Sequence, residues 1–401
     1  MKAFLLFPFG LLFSAACQGW IFTEPLPVTS VQVRGIFHHL DSSGRRNIAV
    51  SADTVSVIWE DDRDGTPRVY LAHKPLTEGQ FSEPLQISGA GEAFEPSLVA
   101  VDDKRLAAAW EEDGRVRVRL IASGRLGKTI DAGEEESAQA ALFDAGEALY
   151  LARSVREGRY SRIRLAVIST GTRLDARLES DCPVDRKEPT DEQLYPVPAA
   201  VADELVVAWE DRRPGHTIIM AAASGRGDPC AFSEPVRISK RSGGTRNLPY
   251  GKGHGVSRVT LAPFGASGLY AIWEDKRNFR EGYDIYGALY LGKGQFDDNA
   301  RVQDDFGEMA KQWHASLGGD AEGRLIAAWS DEREGNSDIF LSVWSGGQWN
   351  ESTPLSSASG SVQQAHPSIV LDAAGNLHAA WVERDEVNGP TRLLYSFGKA
   401  E

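Results

Sequence analysis

The chain has 401 residues, of which 25% are charged and 42% are hydrophobic, a balance typical of a soluble globular protein and not of a disordered one. The formal net charge is -14 and no basic tract occurs, which argues against nucleic acid or an anionic lipid surface as the main partner. A chain of this length can form two or three ordinary domains or one repeat fold, so internal repeats have to be sought first.

The N-terminus has the layout of an export signal. Met1-Lys2 precedes the apolar run from Ala3 to Phe13, which is too short to span a bilayer, and small residues follow it. The segment Ser14-Ala-Ala-Cys17 resembles the lipobox of bacterial lipoproteins, although Ser14 stands where that motif has Leu. We expect residues 1–17 to be a signal peptide with Cys17 lipidated. Ordinary cleavage and an uncleaved anchor are the alternatives. Either main route exports the protein, to the periplasm, the outer membrane or the medium.

The other two cysteines then lie in an oxidising compartment. Cys182 and Cys230 form an even pair once Cys17 is lipidated. A disulfide between them is one possibility, but the loop assignment below puts them on opposite faces of the fold. The sequence leaves their pairing open.

A Trp-centred motif recurs along the chain. The fullest copy contains Trp273-Glu-Asp-Lys-Arg277, and the other copies are centred on Trp59, Trp110, Trp209, Trp329 and Trp381, with Arg153 in the Trp position of a degenerate one. The spacing is roughly 50 residues, which is the period of β-propeller blades. Each copy holds short alternating or β-branched apolar runs broken by Gly, Asp and Asn, a pattern that predicts strands.

Each copy divides into four strands. Residues 367–371 and 377–381 give the first two strands of the last copy, joined by a turn at 372–375, while residues 284–290 and 81–88 illustrate the third and fourth strands.

The two ends of the chain complete each other. Residues 22–29 match a fourth strand with no earlier strand before them, whereas the last copy stops after its third strand. The sequence therefore predicts an all-β fold, a seven-bladed β-propeller of four-stranded antiparallel blades, formed by residues 20–401 as a single domain. An N-terminal strand that completes the last blade closes the ring and removes its open edge.

The connections between strands sort onto two faces. Connections from the first to the second strand and from the third to the fourth are short, and we call their face the bottom. The opposite face, the top, carries the long irregular segments 30–45, 180–195, 239–255 and 302–313. Long loops at one end of a rigid scaffold predict a binding face.

The repeated motif is interpreted as structural, although carboxylates, a guanidinium and an aromatic ring could also serve a sugar. A catalytic site needs its groups once, whereas packing needs them in every blade. We expect Trp to wedge between blades, Asp and Arg to pair across the turn, and Gly to supply positive φ.

Residues that differ between blades are better functional candidates. The residue before each first strand is expected to lie at the top mouth of the central channel. Ala138 and Gly255 occupy this position in two of the blades. The acid–base candidates are His314, His366, His254 and Tyr195, and the ligand-binding candidates are Arg45, Glu95, Arg246, Tyr250, Trp313, His38 and His39. Loop-anchoring and solvated roles are the alternative for all of them.

Neither a metal nor a cofactor is expected. The chain has no His-x-x-x-His or Cys-x-x-Cys spacing, no Gly-x-Ser-x-Gly elbow, and no glycine-rich loop that leads from a strand into a helix.

Two segments carry a family resemblance. Residues 329–340 have the pattern Trp-x-Asp-x-Arg-x-Gly followed by Asp-Ile and an aromatic residue, and residues 273–286 have the same pattern with three more residues before the Gly. Both resemble the sialidase-like (BNR/Asp-box-like) group of exported bacterial repeat propellers. The resemblance implies a propeller over the whole mature chain. Sialidases themselves have six blades and an Arg-Ile-Pro segment that this chain lacks, so their activity does not carry over. Seven-bladed polysaccharide lyases, which use His, Tyr and Arg at the channel mouth, are a closer chemical analogue by fold.

Two functional hypotheses follow, with a purely structural scaffold as a third. The first is an exported, lipid-anchored propeller that binds a glycan or protein partner on its top face and meets the membrane only through its anchor. The second is a carbohydrate-active enzyme, a polysaccharide lyase or a sialidase-like glycoside hydrolase, in which Arg45 or Arg246 neutralises a substrate carboxylate. Because Cys17 lies shortly before the N-terminal strand, the anchor is expected to hold the bottom face near the membrane.

Overall fold

The computed structural model describes residues 20–29, 35–40, 44–77, 79–133, 136–171, 174–240, 255–277, 282–307 and 309–400. Within these ranges all regular elements are β-strands, and no helix long and apolar enough to cross a membrane occurs. The predicted signal peptide 1–17 with Cys17, and the candidates Arg246, Tyr250 and His254, lie outside the described residues.

The strands form seven antiparallel sheets, which are the blades of a β-propeller. The chain begins with β1 (Trp20–Phe22) and β2 (Leu26–Pro27). Blade 1 contains β3 (His38–His39), β4 (Ile48–Ser51), β5 (Thr54–Asp61), β6 (Arg68–Pro75) and β7 (Leu85–Gln86). Blade 2 contains β8 (Ala93–Ala100), β9 (Leu106–Glu112), β10 (Arg115–Ala122), β11 (Arg125–Leu126) and β12 (Ile130–Asp131). Blade 3 contains β13 (Ser137–Asp144), β14 (Leu149–Glu157), β15 (Tyr160–Thr170) and β16 (Ala176–Pro183).

The remaining four blades follow in the same order. Blade 4 contains β17 (Gln193–Val201), β18 (Glu204–Asp211), β19 (Ile218–Gly225) and β20 (Val236–Arg237). Blade 5 contains β21 (Val256–Phe264), β22 (Gly268–Asp275), β23 (Asp284–Gly292), β24 (Gln295–Phe296) and β25 (Ala300–Arg301). Blade 6 contains β26 (Gln312–Gly319), β27 (Leu325–Asp331), β28 (Asp338–Ser345), β29 (Gln348–Trp349) and β30 (Thr353–Pro354). Blade 7 begins with β31 (Gln363–Leu371), β32 (Leu377–Arg384) and β33 (Thr391–Ala400).

The last blade is completed by the start of the chain. Both β1 and β2 pair antiparallel with β33, so that Trp20 lies opposite Ala400 and Leu26 lies opposite Tyr395. The predicted closure by an N-terminal strand is confirmed. The ring therefore has a paired outer strand on every blade, including the one where the two chain ends meet.

The Trp of the repeat lies in the second strand of its blade and is completely buried. All six of these indoles, at positions 59, 110, 209, 273, 329 and 381, are 0% exposed. Seven apolar clusters fill the interfaces between neighbouring blades, and six of them contain one of these indoles. Trp110 of blade 2, for example, shares its cluster with Ile58 and Val69 of blade 1. The predicted wedge between blades is confirmed.

The polar residues that follow the Trp fix its orientation. Trp59 Nε1–H donates to Asp61 Oδ2 at 2.7 Å, and Arg63 Nη2 lies 2.5 Å from the same oxygen. The same arrangement recurs at residues 209–213, 273–277 and 329–333. Because Asp61 is 1% exposed, its buried charge depends on both partners. The predicted Asp–Arg pairing is confirmed.

Blade 3 replaces the indole by a buried ion pair. Arg153 is 0% exposed, and its guanidinium holds Asp181 through two bonds, Nη1 to Oδ1 and Nη2 to Oδ2, each 3.0 Å long. Arg164 Nε donates to the same carboxylate at 2.9 Å. The cluster between blades 2 and 3 is accordingly the one without an indole among the described residues.

The two remaining cysteines are bonded to each other. Cys182 and Cys230 form a disulfide, with their Cα atoms 5.8 Å apart. Cys182 lies within β16 opposite Leu165, along the outer side of blade 3, and Cys230 lies in the connection 226–235 of blade 4. The expected placement on opposite faces is therefore wrong. The connection is long enough to reach the neighbouring blade's outer strand instead of turning tightly at the bottom.

Deleting the N-terminal strands should lower the stability of the whole ring. A chain that starts after Thr29 lacks β1 and β2, which leaves β33 with an unpaired edge and removes the buried side chain of Val28. We expect the melting temperature to fall by about 10 °C or more in a single transition, measured by circular dichroism. A chain that starts at Trp20 is the control, and equal melting of the two chains would contradict the closure.

Candidate functional site

A β-bulge near the start of the first strand supplies the side chains at the channel mouth. The strand register breaks there in blades 2 to 7. The residue in the bulge has a left-handed backbone with φ between 50° and 60°, and these residues are Glu95, Gln139, Tyr195, Arg258, His314 and His366. That conformation is uncommon for non-glycine residues and, in a bulge, redirects a side chain. In blade 1 the first strand is interrupted between β3 and β4, and Arg45 lies in the interruption.

The structure corrects the predicted ring in two blades. The mouth residue is Gln139 rather than Ala138 in blade 3, and Arg258 rather than Gly255 in blade 5. The sequence alignment relied on a Pro-Ser-like pair, which neither of these blades has. Counting back from the Trp position would have found both, because every bulge residue stands 14 or 15 positions before it.

In five blades the residue after the Trp holds the bulge of the next blade, whereas the Tyr195 N–H donates to Gln139 Oε1 at 2.9 Å. In those five, the side-chain oxygen of the residue after the Trp accepts the backbone N–H of the mouth residue. The acceptor and donor pairs are Glu60 with Glu95 at 3.1 Å, Glu111 with Gln139 at 2.5 Å, Glu210 with Arg258 at 2.8 Å, Glu274 with His314 at 2.6 Å and Ser330 with His366 at 3.1 Å. A fixed carboxylate thus supports an otherwise strained backbone. Trp, Asp and Arg of the repeat have the structural roles that the sequence predicted. The Glu after the Trp has a further role that was not predicted, because its carboxylate positions a residue of the channel mouth.

The mouth contains a cavity of about 510 Å³. Its lining includes four of the predicted candidates, Glu95, His39, His314 and His366. Residues that sequence reasoning missed also line it, namely Arg258, Glu60, Glu111 and Glu274, together with Leu40, Phe94 and Pro96. The mixture of carboxyl, guanidinium and imidazole groups with a few apolar walls is typical of a site for a polar small molecule or sugar.

Two arginines converge on one tyrosine beside the cavity. The guanidinium carbon of Arg258 lies 3.6 Å from the centre of the Tyr195 ring, and that of Arg45 lies 5.5 Å from it. Arg45 is 3% exposed and its Nη2 lies 2.8 Å from Glu95 Oε2. Stacking on Tyr195 fixes the Arg258 side chain, whose planar fork suits a carboxylate.

Two imidazoles stack at the other side of the mouth. The ring centres of His314 and His366 are 3.7 Å apart, and Trp313 stacks on His314 at 4.6 Å. Ser330 Oγ lies 3.4 Å from His314 Nδ1 while it accepts the His366 N–H. The predicted candidates His314, His366 and Trp313 thus form one contiguous group.

Glu95 and Glu111 form a carboxyl pair in the cavity wall. Their side chains hydrogen-bond to each other, which requires a proton on one of them. Burial, together with the charge of Glu95, raises the pKa of Glu111 to about 8. Glu111 is therefore largely protonated at neutral pH.

His38 lies outside the cavity. Its side chain is 3% exposed, and its Nδ1 contacts the backbone oxygen of Thr391 at 3.1 Å, which ties blade 1 to blade 7. Burial lowers the pKa of His38 to about 4, so the ring is neutral and structural. Of these two predicted ligand-binding candidates, only His39 lines the cavity.

Among the described residues, no group of three or more His, Cys, Asp and Glu side chains is arranged to hold a metal ion.

No protein-family model matches the chain, and no curated protein matches it. Solved structures do share its fold. An ulvan lyase of polysaccharide lyase family PL25, bound to -[GlcA(1-4)Rha3S]-, superposes with a TM-score of 0.62 at 9% identity, over 90% of this chain and 93% of the lyase. A Dyadobacter fermentans protein of unknown function superposes with a TM-score of 0.55 at 11% identity, over 96% of this chain and 100% of that protein. An α-L-arabinofuranosidase of Fusarium graminearum, Arb93A, superposes with a TM-score of 0.50 at 10% identity, over 76% of this chain and 92% of the enzyme. At these identities the likeness establishes the fold alone.

Replacing Glu274 by Gln should flatten the pH dependence of stability. Burial raises the folded-state pKa of this carboxyl from its usual 4.5 to about 7. Between these values the unfolded chain ionises first, so the stabilisation present below pH 4.5 is lost as pH rises to about 7. Gln keeps an oxygen for the His314 N–H but cannot ionise.

Urea denaturation at about pH 4.5 and about pH 8 measures this effect. The free energy of unfolding of Glu274→Gln, relative to that of the wild type, should rise by on the order of 3 kcal/mol from the lower to the higher pH. The exposed Glu83→Gln is the matched control. If the free energy of unfolding of Glu274→Gln differs from that of the wild type by the same amount at both pH values, the raised pKa is contradicted.

Proposed function

We propose that the protein binds an acidic polysaccharide in the channel-mouth cavity and cleaves it by β-elimination next to a uronate. In this reaction the proton on C5 of the uronate is removed, the C4–O4 bond breaks and a C4=C5 double bond forms. The site must therefore offer a cation for the carboxylate, a base for the C5 proton and a proton donor for O4.

The observation that carries the proposal is the placement of Arg258 in the same cavity as the stacked His314 and His366. A guanidinium that pairs with the substrate carboxylate makes the C5 proton more acidic and stabilises the enolate-like transition state. Arg258 takes the role that the sequence hypothesis gave to Arg45 or Arg246, because Arg258 lines the cavity and Arg45 does not, while Arg246 lies outside the described residues.

The imidazole pair supplies the base. The ring centres of His314 and His366 are 3.7 Å apart, so both imidazoles are presented to the same part of the mouth. A neutral ring can then accept the C5 proton. Tyr195 stays an acid–base candidate, since its ring packs against Arg258, which lines the cavity.

The comparisons support the choice of substrate class. The ulvan lyase with the shared fold is bound to -[GlcA(1-4)Rha3S]-, and the α-L-arabinofuranosidase is in complex with an iminosugar inhibitor. A cavity of about 510 Å³ lies within the ordinary range for ligand sites, roughly 300–1,000 Å³. Binding of a glycan or protein partner without cleavage is the alternative, and the same assay distinguishes them.

Incubation with a panel of soluble polyuronates should release unsaturated uronates, which are detected by their ultraviolet absorbance. Arg258→Ala and His314→Ala should each lower kcat/KM by about 100-fold or more, because each removes a group used in the transition state. Arg125→Ala, exposed on the bottom face, is the matched control and should keep wild-type turnover.

The same polymers with their carboxyl groups reduced should not be cleaved. Thermal melts of all three variants establish that the fold is retained. Tight binding of a polyuronate with no unsaturated product would contradict catalysis and leave a binding protein.

We further propose that the protein is exported and anchored by a lipid on Cys17, with its bottom face toward the membrane. Cys17 precedes Trp20 by three positions, and Trp20 pairs with Ala400 at the bottom end of β33. A lipid at that point would leave the channel mouth facing away from the membrane, where a polymer has access.

Replacing Cys17 by Ser should release the protein from membranes. Wild-type protein should fractionate with membranes and take up labelled fatty acid, and the variant should do neither. In intact membranes, antibodies against the top segment 302–313 should bind. A wild type that stays soluble and unlabelled would contradict the anchor, and a segment 302–313 shielded by lipid would contradict the orientation.

A further inference from the structure

Glu111 is a cavity carboxyl group that has no role in the binding of the uronate carboxylate or the removal of the C5 proton. Glu111 follows Trp110 at the top end of β9 and lines the cavity. In a ring of seven blades, blade 2 lies across the channel from blades 5 and 6, which carry Arg258 and His314. A sugar in the mouth would therefore have Glu111 on one side and the imidazoles on the other.

The proton of the carboxyl pair has a defined place. Glu111 Oε1 accepts the backbone N–H of Gln139 at 2.5 Å, which leaves the second oxygen to carry a proton. Glu95 hydrogen-bonds to Glu111 and is itself paired with Arg45, whose Nη2 lies 2.8 Å away. Burial raises the pKa of Glu111 to about 8, so the shared proton belongs to Glu111.

We propose that Glu111 is the proton donor to the leaving oxygen O4, an inference that rests on the proposed β-elimination. The C5–H electron pair becomes the C4=C5 double bond, and the C4–O4 pair leaves with O4. O4 takes the proton of Glu111, and the C5 proton goes to an imidazole. Glu111 regains its proton when that imidazolium releases one to solvent, so atoms and charges balance over a turnover.

The surroundings of Glu111 stabilise both its protonated and its ionised form. Burial and the Glu95 charge raise the pKa of Glu111 to about 8, which keeps the acid form at neutral pH. Arg45 and the Gln139 N–H act in the opposite direction and stabilise the carboxylate that remains after proton transfer. An acid with a pKa near the working pH is an effective donor.

The other carboxyl groups of the cavity are less suited to this step. Glu95 is paired with Arg45, and Glu274 is 6% exposed with both oxygens engaged, by the His314 N–H at 2.6 Å and by Ser257 Oγ at 2.9 Å. Glu60 accepts the Glu95 N–H at 3.1 Å, so one of its carboxyl oxygens already holds the bulge backbone. Glu111 therefore combines cavity access with a carboxyl neighbour that stabilises its acid form.

Leaving-group dependence tests this role. Glu111→Gln keeps an oxygen for the Gln139 N–H and removes only the acidic proton. Each variant is assayed on a polyuronate and on a synthetic uronate with nitrophenoxide at C4, a leaving group that needs no proton. Glu111→Gln should lose about 100-fold or more in kcat on the polymer but only a few-fold on the nitrophenyl substrate. Glu60→Gln is the control, with the same kind of backbone contact, and should change both substrates by a similar factor.

The outcomes separate the two proposals. An equal loss of Glu111→Gln on both substrates, with an unchanged melting temperature, would overturn the proton-donor role while leaving β-elimination in place. A wild type that eliminates neither substrate would overturn the proposed function itself. A selective loss on the polymer supports both.

Discussion

The burial of an indole between neighbouring blades is the interaction on which the rest of the structure depends. Among the described residues, six of the seven interfaces contain such a Trp. In five of them its Nε1–H donates to the carboxylate two residues later. Removing a group of this size from water is worth several kcal/mol per interface, on the order of 3 kcal/mol or more. The packed Trp also fixes the register of the second strand, so the next residue always lies at the top of the channel.

That register turns a structural repeat into the support of a site. The bulge residues of the first strands have left-handed backbones, a conformation that costs about 1 to 3 kcal/mol where it occurs in a non-glycine residue. Glu60, Glu111, Glu210, Glu274 and Ser330 offset the strain by accepting the bulge N–H groups of the next blades. The bulge side chains differ between blades while the backbone bulge recurs in blades 2 to 7, so the mouth combines Arg258 with the His314–His366 stack on a repeated backbone.

The fold could be predicted from the sequence because its signals repeat. The Trp period gave the blade count, and the fourth-strand pattern of residues 22–29 gave the closure that β1 and β2 make. The site was less accessible. Arg258 and Gln139 were missed because blades 5 and 3 lack the Pro-Ser-like pair that was used to align the blades. Glu111 was missed because a residue that recurs in several blades was interpreted as structural. The disulfide depends on the path of the connection 226–235, which no local pattern encodes.

A structure of the protein with a bound acidic oligosaccharide would test the central claim most directly. The account predicts a sugar in the channel mouth with its uronate carboxylate paired to Arg258, C5 facing the His314–His366 stack, and O4 of the linkage within hydrogen-bonding distance of Glu111. An oligosaccharide bound on the bottom face or the outer strands, or one in the mouth whose carboxylate points away from Arg258, would contradict it.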